Sequence, residues 1–415
     1  MGLRGISDDS DELDSVFWRG FPAKPCPQNP LIPAEAGTQC FGSQRRAENI
    51  GRRSERGACG SYWVPASAGM SGNGKPQSWE ESVIAFPRDT RLASLKTTRR
   101  NHPRKRSVAI PASLQSGLKL PVIASPMFLV SGPDLVVEAC NAGVIGTFPS
   151  LNQRTTEGYR DWLQEIKSRL KPDAAAFGVN HIVHPTNPRL MADMMVSVEE
   201  KVPLIITSLG AVRDVVDAVH GYGGVVFHDI ANVRHARKAA EAGVDGLILV
   251  ANGAGGHAGV VNPFALINEV RSFYDGTIIL AGCLSTGQDV AGALMMGADF
   301  AYMGTRFIAT TESAAQPHYK DLIVASGSAD ITYTPAVSGI PANFLTPSLV
   351  ENKIDPKSLP EHKLDMGEEA KAWKTVWSAG QGSGAVHDIP TTAQLVARLT
   401  DEFSQACDKF DKKRL

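Results

Sequence analysis

Between about residues 107 and 330, short apolar runs alternate with helical patterns eight times, and this alternation constrains the fold more than any other feature. The runs are continuously apolar, as at residues 247–251, which is typical of parallel strands whose two faces are covered by helices. Gly243 and Gly297 stand where two helical patterns stop, as expected at helix C-termini. Eight strand–helix units in about 220 residues predict an α/β fold, a (β/α)8 TIM barrel.

A doubly wound open sheet is the alternative fold for such an alternation. That fold commonly carries Gly-x-Gly-x-x-Gly after its first strand, whereas residues 125–130 read Ser-Pro-Met-Phe-Leu-Val, which favours the barrel. The helix after the third strand carries Met191, Met194 and Met195 at helical spacing, and we expect these side chains to pack in the core. The eighth helix of the alternation is predicted over about residues 312–325.

The N-terminal part of the chain differs in composition from the rest. Residues 1–106 carry 17 Lys and Arg against 11 Asp and Glu and lack a sustained period of two or 3.6, which predicts a disordered, basic segment. Residues 32–37 and 63–70 resemble translated arms of a palindromic bacterial intergenic repeat, so we expect a spurious extension upstream of the true start. The alternative is a basic arm that binds nucleic acid or a partner.

The remainder of the chain carries 25 Lys and Arg against 32 Asp and Glu and forms two further parts. Residues 107–330 are the predicted barrel domain. Residues 331–415 contain loop-rich stretches and a final helix near residues 393–403. We expect them to pack on the barrel as a C-terminal extension.

Overall composition argues against several classes of function. The net charge of −1 argues against nucleic acid as the main partner, and no apolar run approaches the roughly 20 residues that span a bilayer. The six cysteines form no Cys-x-x-Cys pair and have no zinc-like spacing with histidine, so we expect free thiols and no metal site. Free thiols and an acidic start, which suits neither a signal peptide nor a transit peptide, favour the cytoplasm.

The predicted sixth strand runs straight into a glycine-rich turn, Asn-Gly-Ala-Gly-Gly-His at residues 252–257. Glycine lets a backbone approach a flat or anionic ligand closely, because it has no Cβ. In TIM barrels the active site lies at the carboxyl ends of the strands, and a histidine there can transfer a proton near neutral pH. His257 is therefore the candidate catalytic residue. The alternative is a histidine that only caps a loop.

Small residues also follow the predicted seventh and eighth strands, where TIM barrels often bind phosphate. These turns read Ala-Gly-Cys-Leu-Ser-Thr-Gly at residues 281–287 and Met-Gly-Thr-Arg at residues 303–306. We expect backbone N–H groups at the start of each following helix to be free to bind an anion, which the positive helix end also favours. An ordinary turn between strand and helix is the alternative at either place.

Several segments together resemble one family, over about three quarters of the chain. The matching runs are Ser-Pro-Met at 125–127, Phe-Gly-Val-Asn at 177–180, Ala-Gly-Gly-His at 254–257, Ala-Gly at 281–282 and Met-Gly-Thr-Arg-Phe at 303–307. The chain resembles the nitronate monooxygenases, also called 2-nitropropane dioxygenases, which are FMN-dependent barrel oxidoreductases.

The resemblance implies a noncovalently bound FMN and assigns roles by motif position. The residues expected beside the isoalloxazine ring, or hydrogen-bonded to it, are Ser125, Pro126, Met127, Asn180, Gly255 and Gly256. The residues expected to hold the flavin phosphate are Ala281, Gly282, Cys283, Gly304 and Thr305. His257 takes the position of the family's catalytic histidine.

The sequence departs from the family pattern at two places. Cys283 follows Ala-Gly where the family usually has a Gly-Gly pair, which puts a side chain near the phosphate turn. Asp229 ends the fifth strand where some relatives have a lysine, and we expect its carboxylate to repel anionic ligands. Residues 378–382 resemble a family segment that reaches back to the flavin, which makes Gln381 a further candidate.

The implied activity is oxidation of alkyl nitronates with dioxygen to a carbonyl compound and nitrite. His257 would abstract the α-proton of a nitroalkane or, as the imidazolium, stabilise the bound anion. A reductase that passes hydride from NAD(P)H to a quinone or an enoyl thioester is the alternative, and a non-catalytic flavin-binding protein is the third hypothesis. The expected partners are a small-molecule substrate and dioxygen or NAD(P)H as co-substrate; a homodimer is compatible with this interpretation.

Overall fold

The structure is a computed structural model that describes residues 110–184, 186–210, 213–337, 339–357 and 373–413. The expectations for residues 1–106 therefore lie outside the described residues. Within them, eight parallel strands close into a barrel with helices around it, so the predicted (β/α)8 TIM barrel is confirmed.

The barrel strands are hydrogen-bonded in chain order, apart from one short strand outside the barrel. They are β1 (Val122–Ala124), β2 (Ile145–Pro149), β3 (Phe177–Ile182), β4 (Leu204–Ser208), β5 (Val225–Ile230), β6 (Gly246–Val250), β8 (Thr277–Ala281) and β9 (Phe300–Met303). Parallel pairing of β9 with β1, with Tyr302 opposite Ile123, closes the barrel. The two-residue β7 (Gly256–His257) instead joins a separate antiparallel sheet with β11 (Ala342–Leu345) and β10 (Ile331–Thr334).

The helices mostly follow the strands in alternation. They are α1 (Pro133–Ala142), α2 (Thr156–Arg169), α3 (Leu190–Glu199), α4 (Arg213–His220), α5 (Val233–Ala242), α6 (Pro263–Arg271), α7 (Gly287–Met296), α8 (Thr305–Ile308), α9 (Pro317–Ala325), α10 (Thr346–Glu351) and α11 (Thr392–Lys412). Gly243 and Gly297 adopt left-handed φ angles of 89° and 107° just after α5 and α7, as predicted for helix ends.

Large apolar side chains fill the barrel interior, as the continuous apolar runs predict. Ile206, Phe227 and Phe300 belong to one buried cluster, and the rings of Phe227 and Phe300 lie 6.4 Å apart. Side chains alternate along a strand, so the residue two positions beyond an interior residue also faces inward. Asp229 therefore follows Phe227 on the inside of the barrel, at the end where the strands finish.

The eighth helix position of the outer ring is filled by α11 rather than by the helix predicted at residues 312–325. The helix directly after β9, α8, has only four residues, and α9 packs with the C-terminal extension instead. Leu395 and Leu399 of α11 are buried among side chains of β1, α1, α7 and β9. The predicted extension thus contributes the last helix of the barrel. That helix, Thr392–Lys412, extends beyond the predicted residues 393–403.

The prediction for the methionines of α3 was wrong for two of the three. Met194 is buried, but Met191 and Met195 are 71% and 60% exposed. Spacing alone could not separate them, because neighbouring positions on a helix differ by about 100° and methionine does not identify the buried face. Among the helices of the described residues, none is both long enough and apolar enough to cross a membrane.

The contact between α7 and α11 generates a stability prediction. A Cβ added at Gly287 would lie 2.1 Å from the backbone oxygen of Leu399, whereas one added at Gly292 has no atom within 4 Å. We expect Gly287→Ala to lower the free energy of unfolding by about 2 kcal/mol or more, because α11 must move. Gly292→Ala, in the same helix, should raise it by about 0.5–1 kcal/mol.

Urea denaturation of the two variants and the parent protein measures both effects. Equal stability of the Gly287→Ala and Gly292→Ala proteins would show that α11 does not dock on the start of α7.

Candidate active site

The glycine-rich turn after β6 brings His257 to the rim of the barrel. His257 lies on β7 and pairs with Ala342 of β11, so the C-terminal extension fixes its backbone. Its half-buried ring meets the Trp373 ring edge-on, with centroids 5.7 Å apart and an interplanar angle of 65°. Asn343 Nδ2 donates to the Ala254 oxygen at 2.6 Å and holds the same turn from β11. His257 is thus a positioned side chain at the end of the barrel where chemistry is expected.

The glycines of this turn are needed because other protein segments press against it. Gly253 has a φ of 81°, and a Cβ there would lie 2.3 Å from Cys283 Sγ. A Cβ on Gly255 would lie 2.8 Å from the Gly380 nitrogen. The glycines therefore leave room for neighbouring protein segments. This is a structural reason for glycine at these positions, in addition to the expected close approach of a flavin.

The neighbouring backbone belongs to the C-terminal segment 380–382, which contacts three rim turns. Gln381 N donates to Gly253 O at 2.9 Å, and Gly380 N donates to Thr305 Oγ1 at 2.8 Å. Ser285 Oγ donates to Gly382 O at 2.8 Å on the far side. The turns after β6, β8 and β9 are thereby joined through one segment. The expected approach of residues 378–382 to a flavin stays a prediction.

The turn after β8 has fewer free donors than the sequence predicted. The Asp289 carboxylate accepts hydrogen bonds from the nitrogens of Ser285 and Thr286, both at 2.9 Å, and the Gly287 nitrogen donates to Glu402. The expectation of free N–H groups at the start of α7 was therefore wrong, because the Thr286–Asp289 capping box and the Glu402 carboxylate occupy them. Phosphate binding at this turn would have to use the preceding residues, Gly282 and Cys283.

Cys283 occupies an unusual conformation beside that turn. Its φ is 59°, a left-handed value that is uncommon for a residue with a Cβ. The thiol lies 3.7 Å from Asn252 O and 4.0 Å from Gln381 Oε1, so it faces the turn after β6. Burial, with a smaller effect of the Asp289 charge, raises the pKa of this thiol, so the side chain is a neutral thiol at neutral pH.

The turn after β9 is close to the predicted first-strand residues. A Cβ on Gly304 would lie 2.8 Å from Ser125 Oγ and 3.7 Å from Met127 Sδ, so this part of the rim requires the small residue. The structure therefore brings Gly304 and Thr305 together with the turn at residues 125–127. Ala281, at the end of β8, is buried below them.

Arg306, the last residue of the Met-Gly-Thr-Arg run, faces away from this rim. Its side chain is buried, donates to the backbone oxygens of Ala309 and Asp388, and pairs with the Asp388 carboxylate at 3.1 Å. Asp388 also pairs with Arg398 of α11 at 2.6 Å. This residue of the motif therefore fastens the C-terminal extension to the barrel.

A group of polar side chains lies just inside the rim; we call Asn180, Ser208, Asp229 and Tyr302 the polar layer. Asn180 Nδ2 donates to Ser208 Oγ at 2.7 Å, and Ser208 Oγ donates to Asp229 Oδ2 at 2.5 Å. Burial raises the pKa of Asp229 to about 6, although the Ser208 hydrogen bond opposes the shift. Burial, together with the Asp229 charge, also raises the pKa of Tyr302 well above its ordinary range.

Two other histidines on barrel strands have structural roles. His228 faces outward and shares a hydrogen bond with Thr207 Oγ1 at 2.7 Å, and burial lowers its pKa to about 4. His181 lies between Ser150 and Ser197, and burial lowers its pKa to about 3. Both are therefore neutral at physiological pH, and both are hydrogen-bonded to neighbouring hydroxyl side chains.

Sequence reasoning missed several residues that shape the site. Trp373 and Asn343 approach it from the extension, and no local pattern relates them to residues 254–257. Ser208 and Tyr302 could have been found, because each lies two residues beyond an interior apolar residue of its strand. Asp229 was noted only as a departure from the family pattern, although the same alternation places it inside the barrel.

Comparison with known proteins identifies the family to which the chain is similar. A family model described as nitronate monooxygenase matches residues 113–402. The nitronate monooxygenase of Paraburkholderia phytofirmans is 26% identical over 71% of this chain and 95% of its own length. A solved nitroalkane oxidase from Streptomyces ansochromogenes superposes with a TM-score of 0.64 at 23% identity, covering 72% of this chain and all of that one, and so shows the shared fold.

A second kind of relative is named for a different activity. A Rhodococcus jostii protein named (3aS,4S,5R,7aS)-5-hydroxy-7a-methyl-1-oxo-octahydro-1H-indene-4-carboxyl-CoA dehydrogenase is 30% identical over 57% of this chain. The match spans 65% of that relative's length. The chain is thus similar both to nitronate monooxygenases and to a dehydrogenase of a CoA thioester.

The buried Asp229 carboxyl generates a prediction about stability and pH. Its pKa of about 6 exceeds the ordinary value of 3.8, so the folded protein binds more protons than the unfolded chain between these values. Stability is therefore lost as the pH rises through this window. We expect Asp229→Asn to raise the free energy of unfolding at pH 8 by up to about 3 kcal/mol, and the gain to vanish near pH 4.

Thermal or urea unfolding at several pH values, at matched flavin content, measures this gain. Asp217→Asn makes the same chemical change at an exposed position of α4 and should give no such trend. A gain that is independent of pH would contradict the assignment of the raised pKa to Asp229.

Proposed function

The chain belongs to the nitronate monooxygenase family, and from this premise we propose that it is an FMN-dependent enzyme that oxidises alkyl nitronates with dioxygen to a carbonyl compound and nitrite. The family is flavin-dependent, and its members are oxidoreductases. The observation that carries the proposal is the placement of His257, which β11 and Trp373 hold at the barrel rim beside three small-residue turns.

The residues of the rim fit a flavin mononucleotide. Both amide hydrogens of Asn180 are used, by Ile206 O at 3.3 Å and by Ser208 Oγ, so its Oδ1 remains as an acceptor for a ring N–H. Gly282, with a φ of 120°, and Gly304 have no side chain at the two phosphate turns. The ring would lie beside the backbone of residues 125–127 and 255–256, with the phosphate near residues 281–283 and 304–305.

Bound FMN would supply the one-electron acceptor for a carbanion that the protein alone lacks. The work of the chain is to bind, orient and deprotonate the substrate. His257 would remove the α-proton of a nitroalkane or, as the imidazolium, stabilise the negative oxygens of a nitronate. A positioned acid or base of this kind contributes about 10²–10⁴-fold to the rate.

Replacing the proposed base tests the assignment directly. We expect His257→Asn to lower turnover of a nitroalkane by about 10²-fold or more while bound FMN is retained, since the change removes the base and little volume. His318→Asn, at an exposed histidine of α9, is the control and should keep the parent rate. Steady-state oxygen consumption together with the flavin absorbance of the purified proteins measures both quantities.

The assignment fails if His257→Asn loses FMN but keeps the parent turnover per bound flavin. In that case the histidine would serve to retain the cofactor, and another group would accept the α-proton of the nitroalkane.

Oxidation or reduction of a thioester is the second candidate function. It is supported by Asp229, whose carboxylate inside the rim disfavours an anionic nitronate, and by the similarity to a relative named as a carboxyl-CoA dehydrogenase. Thioesters are neutral at the reacting carbon, and loss of an α-proton also gives a stabilised carbanion. NAD(P)H would be the co-substrate in the reductive direction.

Anaerobic rapid mixing separates the candidates. Bleaching of the flavin by a nitronate or nitroalkane, but not by NADH, is expected for the first function. Rapid bleaching by NADH favours the second, and a bound flavin that neither donor reduces would indicate a non-catalytic flavin-binding protein.

A further inference from the structure

Asp229 carries a buried oxygen that the protein does not use. Its Oδ2 accepts from Ser208 at 2.5 Å, but its Oδ1 is buried with no hydrogen-bond partner among the described residues. A buried carboxylate oxygen without a donor is costly, and such atoms in native proteins call for an explanation. The partner of Oδ1 therefore has to come from outside the described chain or from the proton that the carboxyl itself can take up.

The position of Asp229 limits what that partner can be. The side chain lies in the polar layer, one step beyond Phe227 on the inside of β5, and thus just below the rim that holds His257. Asn180 and Ser208 form a directed chain of hydrogen bonds that ends on Asp229, so the network orients the carboxyl without neutralising it. A ligand that enters the barrel mouth is the remaining source of contact.

No neighbouring strand of the described barrel provides a cation for Asp229. The facing groups are uncharged Ser208 from β4, apolar Ile248 from β6, uncharged Asn180 from β3 and the phenol of Tyr302 from β9. Tyr302 stays protonated at physiological pH, because its pKa is raised well above the ordinary range. The titratable side chains of the rim above are His257 on β7 and the thiol of Cys283 after β8, which is neutral at neutral pH.

We propose that Asp229 is the charge-selecting residue of the site: its carboxylate disfavours negative charge in the barrel mouth, both on the reduced flavin and on the substrate. This inference rests on the proposed flavin site. A negative charge near a flavin disfavours its electron-rich form, so the bound flavin is harder to reduce. The substrate accordingly enters as the neutral nitroalkane. His257 takes up its α-proton inside the site, which gives the nitronate that the proposed function oxidises.

The first test needs no substrate and uses the flavin-loaded enzyme. We expect Asp229→Asn to favour the reduced flavin at least tenfold over the parent enzyme at pH 8, which is about 30 mV for two electrons. The difference should shrink towards pH 5, as the parent carboxyl takes up its proton. Asp217→Asn, which removes an exposed carboxylate, should titrate like the parent enzyme. Redox titration with reference dyes across this pH range gives all three curves.

A second variant covers the case in which Asp229→Asn loses FMN. Ser208→Ala removes the donor that stabilises the charged carboxyl. In a plot of reduction potential against pH, the slope should therefore change at a higher pH than in the parent enzyme. The proposal is overturned if the slope changes at the same pH in Ser208→Ala as in the parent enzyme, or if Asp229→Asn has the parent potential at equal FMN occupancy.

The substrate preference gives the second test. In the parent enzyme kcat/KM for a nitroalkane should exceed that for its nitronate above pH 7, and Asp229→Asn should raise kcat/KM for the nitronate about tenfold or more. An unchanged ratio in the variant contradicts charge selection of the substrate. Lack of turnover with either compound would reject nitro-compound oxidation as the function, while the redox titration would still decide the role of Asp229.

Discussion

The backbone pairing of β7 with β11 is the interaction on which the rest of the site depends. It takes the residues that follow β6 out of the barrel and attaches them to a sheet built by the C-terminal extension. His257 owes its place at the rim to this pairing, and segment 380–382 then fixes the turns after β6, β8 and β9 relative to one another. The barrel supplies the strand ends, but the extension decides where the catalytic candidate lies.

The fold was predictable from the sequence because its signals are local and repeated. Continuous apolar runs, and glycines such as Gly243 at helix ends, indicate buried parallel strands and their crossover helices one unit at a time. The eighth helix was misplaced for the opposite reason. Residues 317–325 do form a helix, but the ring position is taken by α11, about 90 residues after β9, and only long-range packing determines that choice.

The candidate site was predictable only where local sequence signals determine it. Positions on strand ends, such as Asn180, Gly282 and Gly304, follow from the alternation and from the family motifs. Contacts made by the extension, such as those of Trp373 and Asn343, do not, because their partners are distant in sequence. The occupied N–H groups at α7 show a further limit, since a Thr286–Asp289 capping box removes donors that a strand–helix turn would otherwise offer.

The place of α11 also has a consequence for how the protein is made. The apolar surface formed by β1, α1 and α7 packs against α11, which follows all the barrel strands in the chain. During synthesis this surface lacks its partner until α11 has left the ribosome, and a chain that has not reached α11 offers the surface to other proteins. A chain that stops before α11 therefore leaves this apolar surface exposed even though every strand of the barrel is present.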